Sequence, residues 1–364
     1  MTRWHVSETA GPAERGETFG RVYTPEITRT LQVYGRLFEQ ATVRELDLDA
    51  LGDEAMASIR AFAPSIAEEI EGIARGSGLP TERIAALNAR TEILARADRL
   101  TRGECSAVVS LGAGASPVAL QTWDWHEELA DCWLVWTIHH PDGRVVQTLT
   151  ELGIVGKIGV SSTGVGVLFN ILHHENDGKG IGVPVHVVAR RVLDEAHDVP
   201  EALEIVSAAG VSASSAITLV ATDGNAATAV TAEVYPGGPG LVFPDEHGVL
   251  LHTNHFVTAP ASLGDREPTI GPDSLVRYEV LERSFADGAP AVAGEALAAM
   301  TSHVGGDGAI CCHPDESAQL GERYATLATV LVDVSAGSLT VHAGGPCTAA
   351  DADWAGTPDE RSAA

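Results

Sequence analysis

From Arg102 to Glu128 the chain reads RGECSAVVSLGAGASPVALQTWDWHEE, and Cys105 stands where helical patterning gives way to strand. A thiol attacks a carbonyl only as its thiolate, so Cys105 needs a base or an environment that lowers its pKa. In an intact chain that base would be a histidine, and His126, His252 and His255 are candidates that nothing local separates. If the peptide bond between Glu104 and Cys105 is broken, the new α-amino group is itself a base of pKa about 8, already attached to the nucleophile. A cysteine merely buried in a strand fits the same spacing.

Metal chemistry has weaker support. His139 and His140 are neighbours on a strand and point to opposite faces. His173, His174, Glu175 and Asp177 form a loop set that could hold zinc, the basis of a rival reading as a metal-dependent hydrolase. The five cysteines (Cys105, Cys132, Cys311, Cys312 and Cys347) include no CxxC pair, and the adjacent Cys311 and Cys312 suit neither a zinc knuckle nor a redox pair. No metal site is therefore assigned. A sparse, odd set without a disulfide framework points to a reduced, cytoplasmic setting.

No GxGxxG follows a strand and no P-loop is present, so no nucleotide or other cofactor is expected. The formal net charge of −27 excludes nucleic acid and an anionic membrane surface as partners. No apolar run reaches the roughly 18 residues of a membrane span, and the N-terminus has no leader-like run.

The elements that must position Cys105 follow from periodicity. TPEITRTLQVYGRLFEQA carries a helical stripe of Ile27, Leu31, Tyr34, Leu37 and Phe38, with Thr24 as cap and a first-turn proline. A second helical region, 48–78, breaks at Pro64 and stops near Gly76, and a third is capped by Thr81. After Glu104 the period becomes that of strands: SAVVSLGAG and VALQTWDW joined by a turn at 112–117, a hairpin around Pro141-Asp142-Gly143, and another turning at 162–164. A helix pair, further strands, a second helix pair and a last hairpin complete the order. Hairpins broken by helix pairs predict two antiparallel sheets packed face to face with helices outside, not a parallel doubly wound sheet.

GECSAVVS at Cys105, LQTWDW ending at Trp125, GVGVLFN ending at Asn170, HTNHF around Asn254, AICCHP before RYATLATVLVD, and GGPC at Cys347 occur in this order. As a set they resemble the acyl-coenzyme A:isopenicillin N acyltransferase-like family (peptidase C45) of N-terminal nucleophile (Ntn) hydrolases. They are more distantly similar to acid ceramidases and bile salt hydrolases. The resemblance covers about residues 18–347. It implies an α+β fold, the Ntn-hydrolase αββα sandwich, made as an inactive precursor with an N-terminal helical prosegment. Residues 1–104 would be a light chain that stays associated, 105–347 the catalytic heavy chain, and 348–364 a loosely ordered tail.

The resemblance also implies roles. Cys105 would attack the carbonyl of Glu104 and then serve as catalytic nucleophile. Asp124 would hold and polarise the freed α-amine, and Asn254 would donate to the oxyanion. Asn170 would hold a substrate or oxyanion group, Arg323 would position the nucleophile, and Trp125 and Thr122 would touch substrate. One of Ser212, Ser214 and Ser215 would line the pocket. The expected activity is amide hydrolysis or acyl transfer on a small N-acylated amine, amino acid or β-lactam, with an acyl-coenzyme A as a further candidate donor. A non-catalytic binding protein on the same fold is the remaining alternative.

Overall fold

The computed structural model describes residues 2–42, 46–97, 105–112, 116–319 and 321–349. Glu104, and with it the bond expected to be cleaved, lies outside these residues, as do 350–364 of the expected tail; Thr348 and Ala349 close a short helix.

In chain order the elements are β1 (Trp4–Ser7), α1 (Pro12–Val22), α2 (Thr24–Ala41), α3 (Leu48–Phe62), α4 (Pro64–Ser77), α5 (Thr81–Asn88), α6 (Arg90–Ala95), β2 (Ser106–Ser110), β3 (Val118–His126), β4 (Trp133–His139), β5 (Val145–Glu151), β6 (Ile158–Ser161) and β7 (Val165–Ile171). Then come α7 (Val185–Glu195), α8 (Val199–Ala208), β8 (Ser215–Thr222), β9 (Ala227–Tyr235), β10 (Gly238–Val242), β11 (Val249–His252), α9 (Glu267–Ile270), α10 (Asp273–Ser284), α11 (Ala293–Met300), β12 (Tyr324–Asp333), β13 (Ser338–Ala343) and α12 (Pro346–Ala349).

The strands form two sheets, one ordered β1-β4-β5-β6-β7-β8-β9-β10 and one ordered β11-β2-β3-β12-β13. β12 and β13 pack across onto β5, β6 and β7. Gly166 marks how closely the sheets approach, because a Cβ there would sit 2.8 Å from Val332 and Val334. Helices α7 and α8 cover the outer face of the larger sheet, and α10 and α11 cover that of the smaller. With both faces covered, strands such as WLVWTIH and VGVLFNI are buried along almost their whole length and lose the apolar–polar alternation of a half-exposed sheet. The layers are therefore αββα, as the sequence predicts.

Three details differ from the sequence reading. The N-terminal segment is not wholly helical: β1 adds to the larger sheet, parallel to β4. Gly76 is not a helix stop, since α4 runs to Ser77 and ends on Gly78 in the left-handed conformation (φ 70). Instead, Gly72 and Gly76 of α4 lie against the backbone of Ala13, Glu17 and Arg21 in α1, and Gly16 and Gly20 of α1 against that of Glu69, Ile73 and Ser77 in α4, with no room for a Cβ. Thr24 and Thr81 do not cap: the cap positions are Tyr23 and Pro80, and the Thr24 hydroxyl donates to the Gly20 carbonyl.

The N-terminal helices share one apolar core with the sheets, from Phe19, Ile27 and Tyr34 through Ile70 and Leu87 to Leu149 and Val167. Buried charges lock the same boundary. Glu151 accepts from Arg90 and Tyr34, and Glu69 accepts from Arg15 and Arg190. The side chain of Asn88 donates to the Gly153 carbonyl and accepts from the Val155 N–H.

Candidate active site

Cys105 is buried at the entry to β2, and its backbone is held at both ends by side chains. Its N–H donates to Asn254 Oδ1 at 2.9 Å. Its carbonyl accepts from Asn170 Nδ2 at 3.0 Å and from Arg277 Nη1 at 2.9 Å. These three residues come from three parts of the fold. Asn254 follows β11, the edge strand beside β2; Asn170 is on β7 of the opposite sheet; Arg277 is on α10 in the outer helical layer.

The partners fix the Asn254 amide. Oδ1 takes hydrogen bonds from Cys105 and from Arg277 Nη2 (3.0 Å), while Nδ2 donates to the Ile171 carbonyl at 2.9 Å. This modifies the expected role. Asn254 faces the Cys105 nitrogen with its oxygen, and one of its two N–H bonds is committed, which leaves the other for an oxyanion. Arg277 also donates to Ser106 Oγ at 3.1 Å and lies 3.4 Å from Asp273 Oδ2.

Asp124 reaches the cysteine through its main chain, its backbone N–H donating to the sulfur. Strand alternation sets Asp124 with Thr122 and Leu120, and Leu120 packs under α10 and α11, so this face of β3 looks toward the outer helices. Burial pushes the Cys105 thiol up to about 11; the positive charges of Lys157 and Arg277 pull it down and the Asp124 carboxylate pushes it further up.

Lys157 is the principal charge opposing that rise. Its ammonium sits 3.9 Å over the Trp123 ring and 3.7 Å from Glu151 Oε2, fully inside the protein. Burial lowers its pKa to about 7, against the attraction of Glu151. Glu151 is the hub beneath it, its carboxyl held below the usual range because Arg90, Lys157 and Tyr34 outweigh burial. Trp125 Nε1 donates to Tyr34 Oη at 2.8 Å, and the Arg90 guanidinium stacks 4.8 Å from the Trp125 ring.

A shallow, mostly apolar depression with a free volume of only about 10 Å³ lies here, lined by Thr91, Leu94, Trp125, Ile171, Leu172 and His173 among others. Its floor adjoins Asn170 and the Ile171 carbonyl that Asn254 grips.

The structure thus brings Cys105, Asp124, Asn170 and Asn254 together and sets Trp125 in the wall of the depression. It does not bring Arg323 to them. That guanidinium donates to the carbonyls of Ala318 and Glu316 and faces Glu127, because a short loop curls back over it. Arg277 occupies the position expected of Arg323. Thr122 Oγ1 accepts from the Ser106 N–H at 3.3 Å, a bond within the sheet, so Thr122 is no substrate contact as placed. The three serines are also engaged: Ser212 with Gly182 N, Ser214 with Asp177, Ser215 with the Ser214 carbonyl. The 173–177 loop does not converge on a metal. His173 Nδ1 pairs with Glu267, His174 Nδ1 accepts from Asn176 N, and Asp177 is bonded to the His174 N–H and Ser214. His252 and His255 turn to Glu233 and Ser274.

Sequence reasoning missed Arg277 and Lys157. Arg277 had a signal: Ser274, Arg277 and Leu281 are the buried stripe of α10, and a guanidinium on such a stripe must have buried acceptors. Lys157 had none beyond its place between two glycine-flanked strands.

Comparison with known proteins shows the family to which the chain belongs. The sequence profile of the family described as acyl-coenzyme A:6-aminopenicillanic acid acyl-transferase matches residues 112–347. The acyl-coenzyme A:6-aminopenicillanic-acid-acyltransferase 40 kDa form of Emericella nidulans is 29% identical over 280 residues, 76% of this chain and 76% of that protein. Among solved structures, penicillin V acylase from Agrobacterium tumefaciens superposes with a TM-score of 0.45 and 15% identity, over 66% of this chain and 83% of that one.

Proposed function

Because this chain belongs to the acyl-coenzyme A:6-aminopenicillanic acid acyltransferase family, we propose that it is a self-processing cysteine amidohydrolase whose acyl group passes through Cys105. Family membership makes it an enzyme of acyl transfer or amide hydrolysis. The observation that carries the finer reading is the grip on Cys105: buried side chains hold both its nitrogen and its carbonyl, the restraint that a nucleophile serving as a chain terminus requires.

In maturation, Cys105 Sγ attacks the Glu104 carbonyl and the C–N bond breaks, giving a thioester and a free Cys105 amine; water then hydrolyses the thioester to the Glu104 carboxylate and the Cys105 thiol. Burial leaves only a small thiolate fraction in the intact chain at neutral pH, enough for one slow cleavage but not for turnover. The new amine removes that obstacle, since Asn254 Oδ1 already lies where it would be held. The amine takes the thiol proton, and the Asp124 N–H and the Lys157 charge favour the thiolate. Thiolate attack on an N-acyl carbonyl gives a tetrahedral oxyanion, toward which the uncommitted N–H of Asn254 is available. The protonated amine gives its proton to the leaving nitrogen, and water hydrolyses acyl-Cys105. The residues 1–104 remain as the light chain, held by the buried pairs at Glu69 and Glu151.

The mostly apolar lining beside Trp125 favours an apolar acyl group over a charged one. The favoured substrates are accordingly N-acyl derivatives of small amines, including acylated β-lactam amines of the kind named for the Emericella relative. Transfer from acyl-coenzyme A is the second reading, resting on the family description. The test is a panel of N-acyl amides graded in acyl length, plus acyl-coenzyme A with an acceptor amine, run with purified protein and Cys105→Ala. Release of free amine by the parent alone is expected, and equal activity in Cys105→Ala would place the nucleophile elsewhere.

A further inference from the structure

Two thiols and two imidazoles that the catalytic site does not use converge on the far side of the smaller sheet. His303, Cys311, His313 and Cys347 each direct one ligand atom into a cluster in which all four lie within 4.8 Å of one another. His303 Nε2 and His313 Nε2 are 3.1 Å apart, and His313 Nε2 is 3.6 Å from Cys311 Sγ and 3.5 Å from Cys347 Sγ. Metal bonds of about 2.3 Å to sulfur and 2.0–2.1 Å to nitrogen in a tetrahedron put N and S donors about 3.6 Å apart and two N donors about 3.3 Å apart. The three spacings at His313 Nε2 are close to those of one tetrahedral shell, and the remaining pairs lie within 4.8 Å, a contraction short enough for side-chain rotation to supply.

From these distances we propose that His303, Cys311, His313 and Cys347 form a four-coordinate zinc site. The donor set is nitrogen and sulfur with no oxygen, which suits Zn²⁺ and excludes Mg²⁺ and Ca²⁺ as occupants. Four protein ligands leave no open position for water, so the site is structural and not a second catalytic centre.

The surroundings are shaped for the sulfurs. A Cβ on residue 345 would lie 2.7 Å from Cys311 Sγ, so Gly345 leaves the space the thiol fills. The Cys347 backbone N–H donates to the Cys311 sulfur, as backbone amides do around metal-bound cysteine. The Cys311 N–H is tied to the Ser302 carbonyl at 3.1 Å, which fixes the loop from which both histidines project. The ligands come from segments that are distant in sequence, residues 303–313 and the turn after β13. That separation explains why spacing rules for zinc motifs do not find them.

The metal would staple the end of the described chain beside the catalytic sheet. Cys312 exchanges hydrogen bonds with Thr326 through its N–H and carbonyl, and Thr326 is the register partner of Asp124. Binding Zn²⁺ releases the two thiol protons and adds its affinity to folding.

The test is metal analysis of the purified full chain, followed by Zn²⁺ removal with chelator and titration with Co²⁺. About one equivalent of zinc per chain is expected, with a cobalt form showing thiolate charge-transfer absorption and intense visible bands of tetrahedral geometry. His303→Ala, on an exposed residue, and Cys347→Ser should each drop zinc to below about a tenth of an equivalent, while Cys132→Ser keeps it. Full zinc in both site variants would overturn the proposal. So would a parent protein with no zinc and no cobalt bands, or a Cys311–Cys347 disulfide in peptide mapping of freshly purified protein.

Discussion

The side-chain oxygen of Asn254 lies 2.9 Å from the backbone nitrogen of Cys105, and Arg277 donates both to the same oxygen and to the Cys105 carbonyl. Asn254 is thereby a holder of the nucleophile's nitrogen before it is anything else. Its remaining N–H can serve an oxyanion only while the oxygen keeps its grip.

The two functions separate by substitution. Asn254→Ala removes both and should lower turnover by about 10²–10³. Asn254→Asp retains an acceptor for the Cys105 nitrogen but loses the donor. Maturation, followed on a denaturing gel, should therefore proceed further in Asn254→Asp than in Asn254→Ala. Equal arrest in both would assign the whole effect to the lost N–H.

Lys157 bears on the sulfur. It is the main charge drawing the Cys105 pKa down against burial, but only while it is protonated, below its own pKa of about 7, so Lys157→Met should slow iodoacetamide labelling of Cys105 most clearly at pH 6.5. Unchanged labelling in the variant would show that the ammonium does not act on the thiol.

Most of this architecture was legible. The switch of period at Cys105, the hairpins at Gly143 and Gly164 and the helix break at Pro64 are local effects, carried by residues next to one another in sequence. What was not legible is long-range. Arg323 and Arg277 are both plain arginines in the sequence, and only the packing of α10 decides which reaches Cys105. Cys311 and Cys347 look unrelated for the same reason, until the last hairpin folds back.

The boundary between the two expected chains makes its own prediction. Arg90 and Glu151 are both fully buried and lie on opposite sides of residue 104. Arg90→Met removes two of the hydrogen bonds to Glu151 and leaves it to Lys157 and Tyr34, so the cost should lie below the roughly 3–5 kcal/mol of a fully unpaired buried charge. Matured protein should hold its light chain through gel filtration, whereas Arg90→Met should lose it at lower urea. Identical urea midpoints for release would mean that the pair does not secure the boundary.

Acid sensitivity follows from His126. Burial, reinforced by the Arg90 charge, lowers its pKa from 6.5 to about 4. Above pH 6.5 both folded and unfolded chains hold it neutral and it contributes nothing. As pH falls from 6.5 to about 4 the unfolded chain binds a proton that the folded chain refuses, so stability declines across that window. Glu92, raised to about 7 by burial, has the opposite slope between 4.5 and 7, which makes the difference between variants the informative quantity. The urea stability of His126→Gln should fall less than that of the parent between pH 6.5 and 4.5. Parallel curves would show that His126 titrates normally in the fold.

The central claim is that Cys105 becomes a chain terminus. N-terminal sequencing of the larger fragment from active protein tests it most directly. Two fragments are predicted, the heavier beginning CSAVVSL, with Cys105→Ala remaining a single chain. Active protein that stays one uncut chain, or a heavy fragment starting at any other residue, would contradict it.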